Sequence, residues 1–434
     1  MDWLAAAADT HPEVPAVITA ERTVSYAELD CAANGVASFV AAGDRSNAVA
    51  FWGDRSLETV AAVWGIPRAG MTAVAVDPRT PPADAMEAAR AAGVHGLWVT
   101  PDGGFDRLLD RGAAGFEAKP RPEAAYIVFT SGSGGRPKGV LLTDDNVAAA
   151  VAGSRDRLGN GPADTWLCVL PLFHVGGLSI LWRQAESGAP VVLVDRFDPV
   201  AEALDGVTFA SLVPVSLRRL VATERRWEGL RAVLVGGAAA DDHLLAAARS
   251  AGIPAVPTYG MTETCSQIAT PSPGAPLDGS VGLPLSGAEI RVLSEGAPVV
   301  GVEGRIEVRG PMVSPGYVGG PERSGDDWLT TSDLGVLGHD GHLSVTGRAD
   351  AVIVTGGENV DPEAVQRVLA AHPAVRASRV FGLPDSEWGM LVVAEVETDV
   401  GSEELEAWAA ERMPPNMRPR EWRIVERLSD KFGT

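Results

Sequence analysis

Thr130-Ser131-Gly132-Ser133-Gly134-Gly135-Arg136-Pro137-Lys138-Gly139 lies between two apolar runs, Tyr126-Ile127-Val128-Phe129 before it and Val140-Leu141-Leu142 after it. Both runs are rich in β-branched and aromatic residues and read as strands. A glycine-rich turn between them exposes several backbone N–H groups and hydroxyls in a concavity that suits phosphate oxygens, and Lys138 adds a point charge. The spacing differs from the G-x-x-x-x-G-K-[ST] nucleotide loop, because Pro137 precedes the lysine and no helix start follows. Taken alone, the stretch reads equally well as an ordinary hairpin loop.

Outward from this loop, short apolar runs at 48–52, 72–76, 126–130, 191–194 and 232–235 alternate with segments of helical spacing such as 57–69, 82–92 and 241–251. That rhythm predicts α/β layers through the first 350 residues. From about Asp278 the turns become Gly-rich, and 289–293, 304–309 and 342–346 read as antiparallel strands with Gly338-His339-Asp340-Gly341 as a hairpin turn. After Asp350 a compact alternation follows: strand 351–355, helix 361–371, strands 377–383 and 391–397, helix 402–412. A chain of 434 residues exceeds the roughly 250 to 300 that one core supports. The expected architecture is α/β, with a large N-terminal domain at 1–349 made of layered α/β subdomains plus a β-rich subdomain, and a small α+β C-terminal domain at 350–434.

The hydrophobic content of 46% is globular, and the longest apolar runs fall far short of the roughly 20 residues that cross a bilayer. Met1-Asp2-Trp3 has no basic start of a secretory leader, so a cytoplasmic protein is expected. Three scattered cysteines, Cys31, Cys168 and Cys265, lack metal-ligand spacing and read as small hydrophobes. A net charge of -21 repels nucleic acid and anionic lipid, so neither is an expected partner and any anionic substrate must be held by local dipoles and arginines. Only Lys119, Lys138 and Lys431 are lysines, which makes the one in the opening loop conspicuous.

Other residues carry recognisable chemistry. Glu263, after a Tyr-Gly turn and Thr262, offers a hard oxygen ligand to a cation such as Mg²⁺, or is an exposed loop acid. Asp333, at an expected strand-loop junction, is an acceptor suited to a ribose diol, or caps a turn. Arg348 suits ribose or phosphate, or a surface salt bridge. His174 sits in an apolar, Gly-rich stretch where a lone histidine is otherwise structural.

Five motifs stand in order: the opening loop, Pro171-Leu172-Phe173-His174-Val175-Gly176-Gly177-Leu178, Tyr259-Gly260-Met261-Thr262-Glu263-Thr264, Thr331-Ser332-Asp333, and Gly347-Arg348-Ala349-Asp350 running into Gly356-Gly357-Glu358-Asn359. Together they resemble the acyl-adenylate-forming superfamily, whose loop reads T-S-G-[ST]-T-G-x-P-K-G, and they cover the chain from Thr130 nearly to its end. Gly134 replaces the usual threonine, and Ser332 replaces a glycine beside the acid. The resemblance implies an AMP-forming acid-thiol ligase using ATP, Mg²⁺ and coenzyme A. It assigns phosphate binding to Thr130, Ser131, Gly132, Ser133, Gly134 and Lys138, and catalysis to His174, Thr262 and Glu263, with Glu263 as metal ligand. Nucleotide binding falls to Gly236, Gly237, Ala238, Tyr259, Gly260, Asp333 and Arg348. It implies a hinge at Asp350 that makes the C-terminal domain mobile, and a CoA-side loop of Gly356, Gly357 and Glu358.

Relatives carry a late lysine that contacts the reacting carboxylate. Here the sequence ends Leu428-Ser429-Asp430-Lys431-Phe432-Gly433-Thr434, at or just before that position, and Lys431 is the candidate. No aspartate suited to an amine is found near His174, which favours an amine-free acid. The stretch 170–183, Pro190-Val191-Val192-Leu193 and the economical length resemble 2-succinylbenzoate CoA ligases of menaquinone synthesis. A dianionic acid needs a local cation, and Arg183 is the candidate for its second carboxylate or for support of the motif. Another aryl- or medium-chain acyl-CoA ligase is the alternative, and a catalytically weakened adenylate-binding protein is the alternative of a different class. A homodimer is compatible with all three.

Overall fold

The computed structural model describes residues 2–43, 47–80, 89–90, 94, 96–98, 104–112, 115–119, 123–130, 138–194, 206–223, 227–240, 242–349, 353–355, 358–385 and 388–428. Two open sheets make up the α/β part. The larger has seven strands in the order Ala255–Pro257, Ala232–Val235, Phe209–Leu212, Trp166–Cys168, Val191–Leu193, Pro15–Ile18 and Thr23–Ser25. All neighbours are parallel except the last pair. The second has five strands in the order Gly96–Trp98, Ala48–Trp52, Thr72–Val76, Tyr126–Thr130 and Lys138–Leu142, parallel except for the closing hairpin. Strands such as Thr72–Val76 and Ala232–Val235 are buried along their whole length. That burial on both faces explains why they read as continuous apolar runs rather than alternating ones.

The helix Leu57–Arg68 is capped by Ser56 and buried from Thr59 through Arg68. Its terminal arginine, 4% exposed, is held by Asp2, Asp30 and Asn34. The β-rich part is an antiparallel sheet in the order Ala297–Val299, Glu289–Ser294, Glu303–Arg309, Leu329–Leu337 and Leu343–Arg348. The expected Asp-Gly turn joins its last two strands. The C-terminal part has the strand order Glu358–Val360, Ile353–Thr355, Gly389–Thr398, Val375–Asp385, with Glu421–Val425 added parallel to Gly389–Thr398. Helices Pro362–Ala370 and Ser402–Arg412 contribute Val365, Leu369, Leu405 and Ala409 to its separate core. Sequence reading misses the strand Glu421–Val425, whose burial never exceeds intermediate and which carries no apolar run.

The edge of the second sheet is closed from outside. Residues 314–318 run along Lys138–Leu142: Leu141 N donates to Gly316 O at 3.0 Å, Val318 N to Gly139 O at 2.9 Å, and Val140 is bridged to Tyr317. Ser314 Oγ donates to Leu141 O at 2.7 Å. Asn146, in the capping box that opens the helix Asp144–Leu158, reaches back with Nδ2 to Pro311 O at 2.8 Å and Val313 O at 3.0 Å. Asn146→Ala removes a cap interaction and leaves two carbonyls unpaired, so a loss of about 2–3 kcal/mol is expected. Urea unfolding should show a lowered midpoint with an unchanged slope.

Candidate active site

In open α/β sheets ligands bind beyond the carboxyl ends of the strands. Those ends carry Gly53 after Ala48–Trp52, Asp77 after Thr72–Val76, Thr130, the turn 169–174 after Trp166–Cys168, and Gly236 after Ala232–Val235. Gly53 N donates to Val76 O at 2.8 Å within the five-stranded sheet, and Leu172 N donates to Gly53 O at 3.0 Å, a bond that joins the two sheets at this end. A Cβ on Gly53 would lie 2.4 Å from Phe173 N, so the approach requires glycine. His174 is the N-cap of the helix Val175–Ser187, and its ring lies 4.3 Å from that of Phe173. Burial pushes the Asp77 carboxyl up, but bonds and charge from Arg79, with a smaller pull from His174, hold it below the usual range. Arg79 also lies over the Phe173 ring, 5.3 Å from its centre.

Of the residues that the resemblance assigns to the nucleotide, Tyr259, Asp333 and Arg348 are joined directly. Gly236 N donates to Leu212 O at 3.2 Å, and Gly237 takes a φ of 76° in the following turn. Ala238 continues it. Tyr259 Oη donates to Asp333 Oδ2 at 2.6 Å, and Arg348 Nη1 donates to Asp333 Oδ1 at 3.1 Å. Asp333 lies inside the strand Leu329–Leu337, directly opposite Arg348, and not at the strand-loop junction that the sequence suggested. Its N–H donates to Thr331 Oγ1 at 3.0 Å, which in turn donates to Ile306 O at 2.8 Å. Ladder pairing hides this placement from sequence, because Ser332-Asp333 resembles a turn. Burial and the negative charge of Asp333 raise the Tyr259 pKa far above that of a free phenol, so the hydroxyl remains a donor.

Thr262 and Glu263 form a single 3₁₀ turn, Thr262–Thr264, between the strands Tyr259–Met261 and Ser266–Ala269. The turn is tight: a Cβ on Gly260 would lie 1.6 Å from Ser266 O. Cys265 and Ser266 take φ values of 51° and 100°, conformations that cost on the order of 1–3 kcal/mol each outside glycine. Such strain is typical where a backbone must aim a functional side chain. Glu263 Oε1 accepts from Tyr317 Oη at 2.8 Å, and Lys138 Nζ lies 5.6 Å from the centre of the same Tyr317 ring. Among the described residues no three His, Cys, Asp or Glu cluster as a metal cage. One half-buried carboxylate beside a threonine hydroxyl instead fits Mg²⁺, which keeps most of its waters and arrives with phosphate oxygens. Sequence reading misses Tyr317, since it lies outside every motif and joins Glu263 and Lys138 only through the pairing of 314–318 with Lys138–Leu142.

Thr130 lies opposite Lys138 where the strands Tyr126–Thr130 and Lys138–Leu142 pair. Ser131, Gly132, Ser133 and Gly134 lie outside the described residues, as do Asp350, Gly356, Gly357 and Lys431; Glu358 begins the strand Glu358–Val360. Arg183 is not brought to this cluster. It sits nine residues beyond His174, about 13 Å along the helix. It is 2% exposed, with its guanidinium 5.2 Å from the Trp166 ring, and burial lowers its pKa to about 9. No helix among the described residues is long and apolar enough to cross a membrane.

This geometry agrees with comparisons to known proteins. The 2-succinylbenzoate–CoA ligase of Bacillus licheniformis is 40% identical over 321 residues, covering 70% of this chain and 67% of that protein. The corresponding ligase of Geobacillus kaustophilus is 40% identical over 325 residues, covering 70% and 66%. The chain's aligned stretch thus spans about two thirds of these relatives. The o-succinylbenzoate CoA synthetase of Bacillus subtilis in complex with its acyl-adenylate intermediate superposes with a TM-score of 0.86 at 32% identity, covering 99% of this chain and 95% of that one. The same synthetase in complex with ATP and magnesium ion gives 0.83 at 32% identity, covering 99% and 96%. The model of the AMP-binding enzyme C-terminal domain matches residues 364–431. The model described as AMP-binding enzyme matches residues 4–318, and the chain belongs to that family.

Proposed function

We propose that the chain activates 2-succinylbenzoate with ATP and passes the acyl group to coenzyme A. The observation that carries the adenylation is that one short stretch, Tyr259 to Glu263, holds Asp333 and Arg348 through Tyr259 and meets Tyr317, and through its ring Lys138, with Glu263. The identity of the acid is supported by the relatives, which are 2-succinylbenzoate ligases.

In this reading the Asp333 carboxylate accepts from the ribose hydroxyls, and Arg348 screens its charge from the phosphates. Lys138, Thr130 and the loop 131–134 receive the β- and γ-phosphates. Glu263 and Thr262 would hold Mg²⁺, which when bound neutralises charge on the phosphate oxygens. His174 positions the acid so that a carboxylate oxygen attacks the α-phosphorus in line; pyrophosphate leaves, and acyl-AMP forms. The CoA thiol, losing its proton, then attacks the acyl carbon and AMP departs. Motif order supports a hinge at Asp350 between domains 1–349 and 350–434, with Gly356, Gly357 and Glu358 on the thiol side and Lys431 at the adenylation centre. The net charge of -21 supports small-molecule partners over nucleic acid or an anionic membrane, and the reading places the enzyme in the cytoplasm. A homodimer is compatible with this reading, and light scattering reads the oligomeric state.

Exchange of labelled pyrophosphate into ATP is expected to require 2-succinylbenzoate. Exchange only with benzoates lacking the succinyl arm would overturn the choice of acid, and ATP binding without exchange on any acid would favour an adenylate-binding protein. Asp333→Asn weakens two charge-assisted bonds, and the KM for ATP should rise roughly 10- to 100-fold with a smaller change in the KM for the acid. Arg183→Met separates its two roles. A role at the second carboxylate predicts a raised KM for 2-succinylbenzoate alone; support through Trp166 predicts a lowered melting temperature with KM unchanged.

A further inference from the structure

Lys138 and Glu263 are the cation and the anion on which the adenylation reading depends, and this inference rests on that reading. They meet the same side chain by different parts. Tyr317 gives its hydroxyl to Glu263 Oε1 at 2.8 Å and presents its ring to Lys138 Nζ at 5.6 Å. Tyr317 is itself fixed by backbone, through its bridge to Val140 and the flanking bonds of Gly316 to Leu141 and of Val318 to Gly139. The other end is fixed as well, since Ser314 N donates to Glu263 O at 2.7 Å. Among the described residues Lys138 makes no ion pair.

We infer that Tyr317 is a positioning residue that keeps Lys138 and Glu263 from pairing with each other before the nucleotide arrives. A direct Lys–Glu pair would cancel the two charges that must receive a phosphate and a cation separately. A neutral phenol avoids that loss. Its hydroxyl occupies one lone-pair position of Glu263 and leaves the other oxygen open. Its ring attracts the ammonium while leaving the charge intact.

Calorimetry of ATP binding to the full chain, with Mg²⁺ and in EDTA, separates the two contacts. Tyr317→Phe keeps the ring and removes the hydroxyl. The Mg²⁺ concentration that half-saturates the tightening of ATP binding should rise roughly 10-fold, with ATP affinity in EDTA within about 2-fold of wild type. Tyr317→Leu removes the ring, and ATP affinity in EDTA should fall roughly 10-fold as Lys138 reaches Glu263; adding Glu263→Gln should restore it. An unmoved Mg²⁺ dependence in Tyr317→Phe, or no restoration by Glu263→Gln, overturns the inference. Tyr317→Phe alone carries the test where Tyr317→Leu loosens the fold. Wild type that binds no ATP overturns the adenylation reading and this inference together; wild type that binds ATP beside unmoved variants overturns this inference alone.

Discussion

The strand Lys138–Leu142 has one sheet neighbour, and its other edge would present unpaired N–H and C=O groups to whatever approached. Filling that edge with 314–318 satisfies those groups and also sets the distance between three parts of the chain that are far apart in sequence. The lysine at the start of the strand, the acid in the hairpin 259–269 and the antiparallel sheet that carries Asp333 are all referred to one row of backbone bonds. Asn146 anchors the same row from the helix that follows the strand. A backbone ladder of this kind is a stiff ruler, because slipping it by one residue would turn Tyr317 to the opposite face.

Much of the fold is legible because burial on both faces leaves a plain signature. The runs at 48–52, 72–76, 126–130 and 232–235 coincide with strands of the same bounds. The antiparallel strands at 289–294 and 303–309 are likewise where alternation places them, within a residue. Joining Pro15–Ile18 to the other strands of the seven-stranded sheet is not legible, since the pairing of Val17 with Val191 links distant parts of the sequence and depends on tertiary packing.

The site divides in the same way. His174, Glu263 and Asp333 stand out because each sits in a motif whose residue types suit one chemical task. Tyr317 and Asn146 do not, because their roles exist only across strand and cap contacts between distant segments. Asp333 shows the boundary between the two cases: its chemistry is apparent from sequence, while its seat in mid-strand, opposite Arg348, emerges only from the register. Cys265 and Ser266 give no sequence signal of their left-handed backbone, since glycine, the usual resident of that region, stands at neither position.

The helix Val175–Ser187 is N-capped by His174 and packs its buried residues against the seven-stranded sheet, while the groups that the proposed reading gives to ribose, phosphate and cation hang from the hairpin, the antiparallel sheet and the edge row. Under the proposed reading, in which His174 places the acid, changes along this helix can alter the preference for the acid while the nucleotide groups stay where they are. Intermediates between one acid preference and another would then still turn over ATP. A lineage built on this frame can change its diet by small steps without first passing through a dead enzyme.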